Sequence, residues 1–509
     1  MKFCLTKQRI ALAGLGCQLL GLTVAAPAVA GPALGEFTAH SDVGAPAKSG
    51  SAAYEAATDT YTVSGAGKNI WFDKDEFHFV WRKIKGDFIL QTRAHLVGQG
   101  VEPHRKLGLM ARASLDASAA EVNAVVHGDG LTSLQFRRTP GAMTEEMKST
   151  LTAADVIQLE RHGNQYTMSV ARFGQPFVTA EVTELDLGDE AYVGLFVCAH
   201  NSNVVEQAVF QDVRLTIPAP ANLVPYRDHL GSRLEILDVD SGRRQIVFQT
   251  AAGIEAPNWT PDGAALIYNS GGKLFRFPLA TRLPTPLDTG FATKCNNDHV
   301  LSFDGQMLGI SHSEKATGGK SAVYTLPATG GVPKLITTNG TSYLHGFSPD
   351  GKFLVYTGER NGEFDIYRIP VTGGEETRLT TAKGLDDGSE YSPDGAFIYF
   401  NSTRSGTMQL WRMKADGTDQ EQLTQDEFNN WFPHVSPDGK RIVFISFNKD
   451  VAPDKHPYYQ RVYLREMPVG GDAPKVVAYL YGGQGTLNVP SWNADSKRLA
   501  FVSHTGTPQ

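Results

Sequence analysis

The chain has 509 residues, 41% of them hydrophobic and 20% charged, with a formal charge of −7. That length exceeds one ordinary domain, the apolar content is too high for disorder, and no basic block marks a nucleic-acid partner. Plentiful glycine (52) and proline (27) without a triplet period point to a turn-rich β protein.

Residues 1–30 read as a signal peptide. Lys2, Lys7 and Arg9 precede an apolar run from Ile10 to Val24, and Ala28-Val29-Ala30 supplies small residues for cleavage. The run before Cys17, which follows Leu15-Gly16, is short for a lipoprotein signal, so a periplasmic or secreted soluble form is expected, not spanning a membrane. Cys198 and Cys295 are then the remaining cysteines and are expected as free thiols.

Residues 35–217 alternate apolar and polar positions. Asp87–Arg93, Lys106–Arg112, Ser133–Arg137 and Tyr166–Val170 are strands separated by turn residues, the pattern of a two-sheet sandwich. The order Gly-Asp-Phe, then Gly-Leu-Met-Ala-Arg, then Tyr192–Val197 with Ala199-His200-Asn201 is similar to bacterial concanavalin A-like jelly rolls. That resemblance implies an accessory carbohydrate-binding-like domain. Trp71, Phe77, Phe79 and Trp81 read mainly as core, with sugar stacking as the alternative. Residues 218–225, with Pro218, Pro220 and Pro225, form a stiff linker.

Residues 226–505 repeat. Trp259-Thr260-Pro261-Asp262-Gly263 returns with its Ser, Thr or Asn at 302, 348, 392, 436 and, degraded, 493. A spacing of about 44 residues fits four short strands and their turns, so six propeller blades are predicted. Pro-Asp-Gly joins strands a and b; Asp240-Ser241-Gly242, Thr329-Gly330-Gly331 and their equivalents join c and d. Leu234–Phe248 supplies a c-d pair and Leu487–Ser503 an a-b pair, so strands from both ends close the ring.

The aromatic-Ser-Pro-Asp-Gly repeat, with Asp365-Ile366-Tyr367 and Arg378-Leu379-Thr380, resembles the TolB-type six-bladed propellers, often labelled biopolymer transporter Tol proteins. The expected class is therefore all-β: a concanavalin A-like jelly-roll sandwich, then a six-bladed propeller.

Alternating strand direction puts the Pro-Asp-Gly and Gly-Gly turns on one face and the b-c and d-a loops on the other. The loop face carries Asn297, His299, Tyr343, His345, Asp387, Glu390, Asn430, Trp431 and His434, with Arg360, Arg404, His456 and Gln484 from neighbouring loops. His299 and His345 stand where blades one, five and six have Pro257, Pro433 and Pro490. An imidazole cluster could serve as acid and base or hold a divalent metal through His299, His345, His434 and Gln484; no nucleotide or organic cofactor is expected. Asp387, Glu390 and Arg404 complete the candidate catalytic set, and Asn297, Tyr343, Arg360, Asn430, Trp431 and His456 the ligand-binding set. Capping of backbone N–H groups is the competing reading for Asp387 and Glu390, and hydrogen-bonded loop roles for the histidines.

Three functions remain open. The first is recognition or processing of an oligosaccharide or polysaccharide. The second is metal-assisted lyase or glycoside-cleaving chemistry, resembling oligogalacturonate lyases, in which Arg404 would clamp a carboxylate. The third is a scaffold binding another cell-envelope protein.

Overall fold

Period-two alternation places every second side chain on one face of a strand, and in the first half those faces meet. The computed structural model describes residues 34–507; the signal-peptide reading of 1–30 lies outside them. No α-helix occurs among the described residues, and none is long and apolar enough to cross a membrane. One antiparallel seven-stranded sheet runs Ala39–Val43, Phe77–Lys85, Glu190–Cys198, Lys106–Arg112, Glu121–His127, Thr132–Arg137, Glu145–Lys148. The second runs Val178–Val182, Gln165–Ala171, Val156–His162, Phe88–Leu96, Asn201–Thr216, Thr60–Gly67, Ser51–Glu55. Leu107, Leu109, Val122 and Leu195 of the first meet Val63, Leu90, Leu159 and Met168 of the second in one core.

The outer face of the first sheet is also covered. Phe77 and Phe79 are buried there with Met110 and Phe196, so the core reading of these two aromatics is the right one. Beside them Asp75 sits between Arg137, at 2.7 Å, and Arg112, at 3.3 Å, all fully buried.

Blades one to five each have four strands, with inner strands a at Glu255–Trp259, Cys295–Leu301, Thr341–Phe347, Asp386–Tyr391 and Asn429–Val435. In the sixth, Gly231–Asp238 pairs with Arg498–Thr505 from Gly231↔Thr505 to Asp238↔Arg498, and Trp492 bridges Leu499. The ring closes as the repeat predicts.

The repeated turn owes its geometry to three residues. The Ser or Thr hydroxyl donates to the Asp carboxylate, at 2.5–2.7 Å in blades one to five, and accepts the backbone N–H that opens strand b. Glycine takes the positive φ, from +67° to +73°. In blade six Ser496 holds φ +58°, and its hydroxyl accepts the Asp438 N–H, tying blades five and six together. The threonine of Arg378-Leu379-Thr380 also satisfies the backbone, since its hydroxyl accepts Ile366 N–H, as Thr337 and Thr424 do for their blades. Ser392→Ala, which strands the Phe397 N–H and the Asp394 contact, is expected to cost about 1–3 kcal/mol in chemical denaturation.

Sandwich and propeller are docked. Arg214, on the last sandwich strand, and Arg244 both reach Glu235 on the ring-closing strand, at 3.1 and 2.8 Å. Phe177 packs against Tyr479, ring centres 4.6 Å apart, and Arg461 pairs with Glu160.

Candidate functional site

Each strand a enters the ring from the loop face, so its first residues lie near the channel mouth and its last near the turn face. The pairing of strands a and b shifts register within strand a of blades one to five.

At the mouth, His345 Nε2 lies 2.9 Å from Asp387 Oδ1, which also accepts the Thr357 hydroxyl at 2.7 Å and the Gly388 N–H at 2.8 Å. Burial alone would lower the His345 pKa, but the Asp387 charge and hydrogen bond outweigh it and raise it. Asp387, though buried, is held down to about 2, mainly by His345. Asp298, from blade two, is pushed up to about 6 by burial, with Asp387 adding to the shift and His345 opposing it. Glu255 of blade one is pushed up to about 7, mainly by burial, and accepts the Tyr458 hydroxyl at 2.8 Å. His456 lies against Trp431 and Phe432, with ring centres 4.4 and 5.4 Å away, and next to Gln484; burial lowers its pKa. Tyr226 stacks edge-on against Tyr458, and Tyr343 completes the rim. The channel below the mouth therefore gathers three carboxylates of graded acidity, two imidazoles and Gln484, largely buried, with three tyrosines above them.

The remaining candidates go elsewhere. His434 is buried with both ring nitrogens engaged, at 2.5 Å from Glu390 and 3.1 Å from the Leu487 carbonyl. His299 is fully buried, its Nε2 3.2 Å from the Ile267 carbonyl, and burial pushes its pKa down to about 4. The three histidines thus belong to separate hydrogen-bond networks and do not converge with Gln484 into one ligand set. Arg360 makes a bidentate pair with Glu376, at 2.7 and 2.8 Å, and also donates to Thr341 and Glu359 carbonyls. Arg404 is held by Asp386, Ser402 and Gln420. Neither guanidinium is free to clamp a carboxylate. Asn430 is buried between Gln409, Thr424, Asp426 and Ser446, and Asn297 is buried in strand a. Trp431 is fully buried core, not a sugar platform.

Asp298 and Glu255 are the residues that motif reasoning passed over. The signal was present for Asp298, which directly precedes the His299 that attracted attention. Glu255 opens the first repeat, where only its position at the mouth separates it from an ordinary strand residue.

A separate cavity of about 710 Å³ lies between sandwich and propeller, lined by Arg82, Arg214, Arg233 and Arg244 with Glu36 and Asp59. Arg214 and Arg244 are committed to Glu235, and Arg233 donates to the Leu215 carbonyl at 2.7 Å. This cleft is part of the joint between the two halves.

The closed ring of six sheets with a polar channel mouth defines a six-bladed β-propeller protein. The TolB beta propeller domain model, PD40, matches residues 345–455. The uncharacterised protein Atu1656 of Agrobacterium fabrum is 47% identical over 274 residues, 54% of this chain and 92% of that protein. The chain belongs to the TolB-like β-propeller family. A solved structure provisionally assigned to TolB from Agrobacterium tumefaciens is 45% identical, covers 55% of this chain and all of its own, and superposes with a TM-score of 0.53. The Tol-Pal system protein TolB of Bordetella pertussis is 28% identical over 148 residues, 28% of this chain and 33% of that protein.

Proposed function

We propose that the protein is an exported, TolB-like glycan-recognition protein whose ligand seats at the mouth of the propeller channel, with the sandwich as an accessory concanavalin A-like carbohydrate-binding domain. One observation carries this reading: the His345–Asp387 pair stands beside Asp298, Glu255 and Gln484, beneath a rim of Tyr226, Tyr343 and Tyr458. Carboxylates and amides accept sugar hydroxyls, and tyrosine offers an apolar ring face with a polar tip. The same charges select the ligand. An acidic cluster whose neighbouring guanidiniums are committed repels uronates, so the expected glycan is neutral, and the metal-assisted lyase reading loses its carboxylate clamp. A microarray of neutral and acidic oligosaccharides tests this: binding confined to neutral glycans is expected, and binding confined to acidic ones contradicts it.

A second reading, glycoside hydrolysis, is favoured by the opposed acidities of Asp298 and Asp387. One carboxyl is protonated up to about pH 6 while the other is ionised above about pH 2. Two carboxyls driven apart in this way are suited to act as general acid and as nucleophile or base. Reducing-end release should then fall off above about pH 6 as Asp298 loses its proton and below about pH 2 as Asp387 gains one. Release that increases steadily above pH 7 contradicts that assignment. The Bordetella relative's name supports a third reading, an envelope-protein partner, which a pull-down from envelope extract separates from the first two.

A further inference from the structure

We propose that the sandwich carries a transition-metal site of the zinc(II) kind, held by His104, His127 and Asp129. One ligand atom from each lies within 4.8 Å of the others. Donors about 2.0 Å from a tetrahedral ion are roughly 3.3 Å apart, so an ion has to draw these groups together by at most roughly 1.5 Å.

The chain brings them together through backbone structure. His127 ends the strand Glu121–His127, and Asp129 stands in the turn that follows. Gly128 N–H donates to the Arg105 carbonyl and Asp129 N–H to the Pro103 carbonyl, both at 2.8 Å, which clamps the loop bearing His104 to this turn. Arg105 in turn pairs with Glu206 at 2.6 Å, fixing the base of that loop. Asp129 Oδ1 accepts the Leu131 N–H, leaving Oδ2 3.7 Å from His104 Nδ1.

A second observation points to a ligand. His127 is buried, and its Nδ1 has no hydrogen-bond partner. A buried ring nitrogen left unpaired is costly, and a bound ion would remove that cost. His200 repeats the pattern: its ring centre is 5.5 Å from that of His104, and its buried Nδ1 is also unpaired. The nearby Lys106 ammonium donates to the Asn69 side-chain oxygen.

Two imidazoles and one carboxylate, without a thiolate, suit a borderline divalent ion better than calcium, which takes oxygen ligands, or copper(I), which favours sulfur. Cys198, the nearest thiol in the sandwich, donates to the Glu76 and Gly67 carbonyls. His104 and Asp129 are 49% and 38% exposed, so solvent can supply the remaining coordination.

Titration of zinc alone into the full chain after chelator treatment, with metal content measured in parallel, tests the site. One equivalent per chain is expected. His104→Ala and Asp129→Asn, both at half-exposed positions that should leave the fold intact by circular dichroism, are each expected to weaken binding at least roughly 10-fold. Cobalt(II) gives a second readout: a visible absorption band of the bound ion that both variants lose. His345→Gln, in the propeller, should leave zinc uptake unchanged. No uptake at micromolar zinc, or one equivalent retained by both sandwich variants, overturns the proposal.

Discussion

Replacing Glu235 by glutamine is expected to lower stability by about 3–5 kcal/mol, because it leaves two buried guanidiniums without their shared counter-charge. Glu235 is fully buried, 2.8 Å from Arg244 and 3.1 Å from Arg214, and it accepts the Ser503 hydroxyl. Its strand, Gly231–Asp238, also closes the propeller ring against Arg498–Thr505, so one residue holds both ring closure and the sandwich joint. Burial opposes its ionisation, but Arg244 and Arg214 prevail and hold its pKa down to about 2. An unfolded glutamate titrates near 4.3, so the folded state binds fewer protons and the ion pairs stabilise it fully above about pH 4.3. That contribution is lost as pH falls through about 2. Chemical denaturation at neutral and acid pH checks both statements: the variant's deficit should shrink as the wild type approaches pH 2. A cost below about 1 kcal/mol would mean that the joint does not depend on this charge.

The second large effect is on ionisation at the channel mouth. Asp387→Asn removes the main charge and hydrogen bond that raise the His345 pKa, leaving burial, which lowers it, against the smaller raising effects of Asp298 and the Asn488 backbone. The imidazole pKa should fall from its raised wild-type position, read from the ring proton shifts of His345 in an NMR titration. The same change turns a charge-assisted hydrogen bond into a neutral one and takes away a carboxylate facing the ligand. Glycan affinity is therefore expected to fall about 10–100-fold, the equivalent of one or two such bonds. Glu390→Gln, which removes the charge paired with His434 near the turn-face end of its strand, should instead act on stability, since both nitrogens of that imidazole are bound inside the protein. An unchanged His345 titration in Asp387→Asn would show that the pair is not coupled.

The propeller was legible because its information is local. Ser-Pro-Asp-Gly encodes a turn whose hydroxyl, carboxylate and glycine satisfy one another within five residues, and repetition converts that turn into a blade count. The sandwich followed from alternation, and ring closure from a c-d pair and an a-b pair at opposite ends of the repeat.

The site was legible only in outline. Sequence identified the loaded face, and His345, Asp387, His456 and Gln484 do meet there. It could not apportion the other polar residues, because their partners are chosen across blades: His299 finds a carbonyl at Ile267 and His434 a carboxylate at Glu390. Arg360 and Arg404 looked free in the chain, yet Glu376 and Asp386 neutralise them once the strands pair. The His104–His127–Asp129 group escaped notice for a related reason: these residues lie in a half read for sugar-stacking aromatics, and strand pairing brings the imidazoles close.

The central claim, that a neutral glycan is held at the channel mouth around Asp387 and His345, is tested most directly by calorimetric titration of neutral oligosaccharides into wild type and Asp387→Asn side by side. The account predicts saturable binding to the wild type and a drop of at least roughly 10-fold in the variant, measured where circular dichroism shows both proteins folded. Equal binding by the two proteins, or no heat from any neutral sugar, would contradict it.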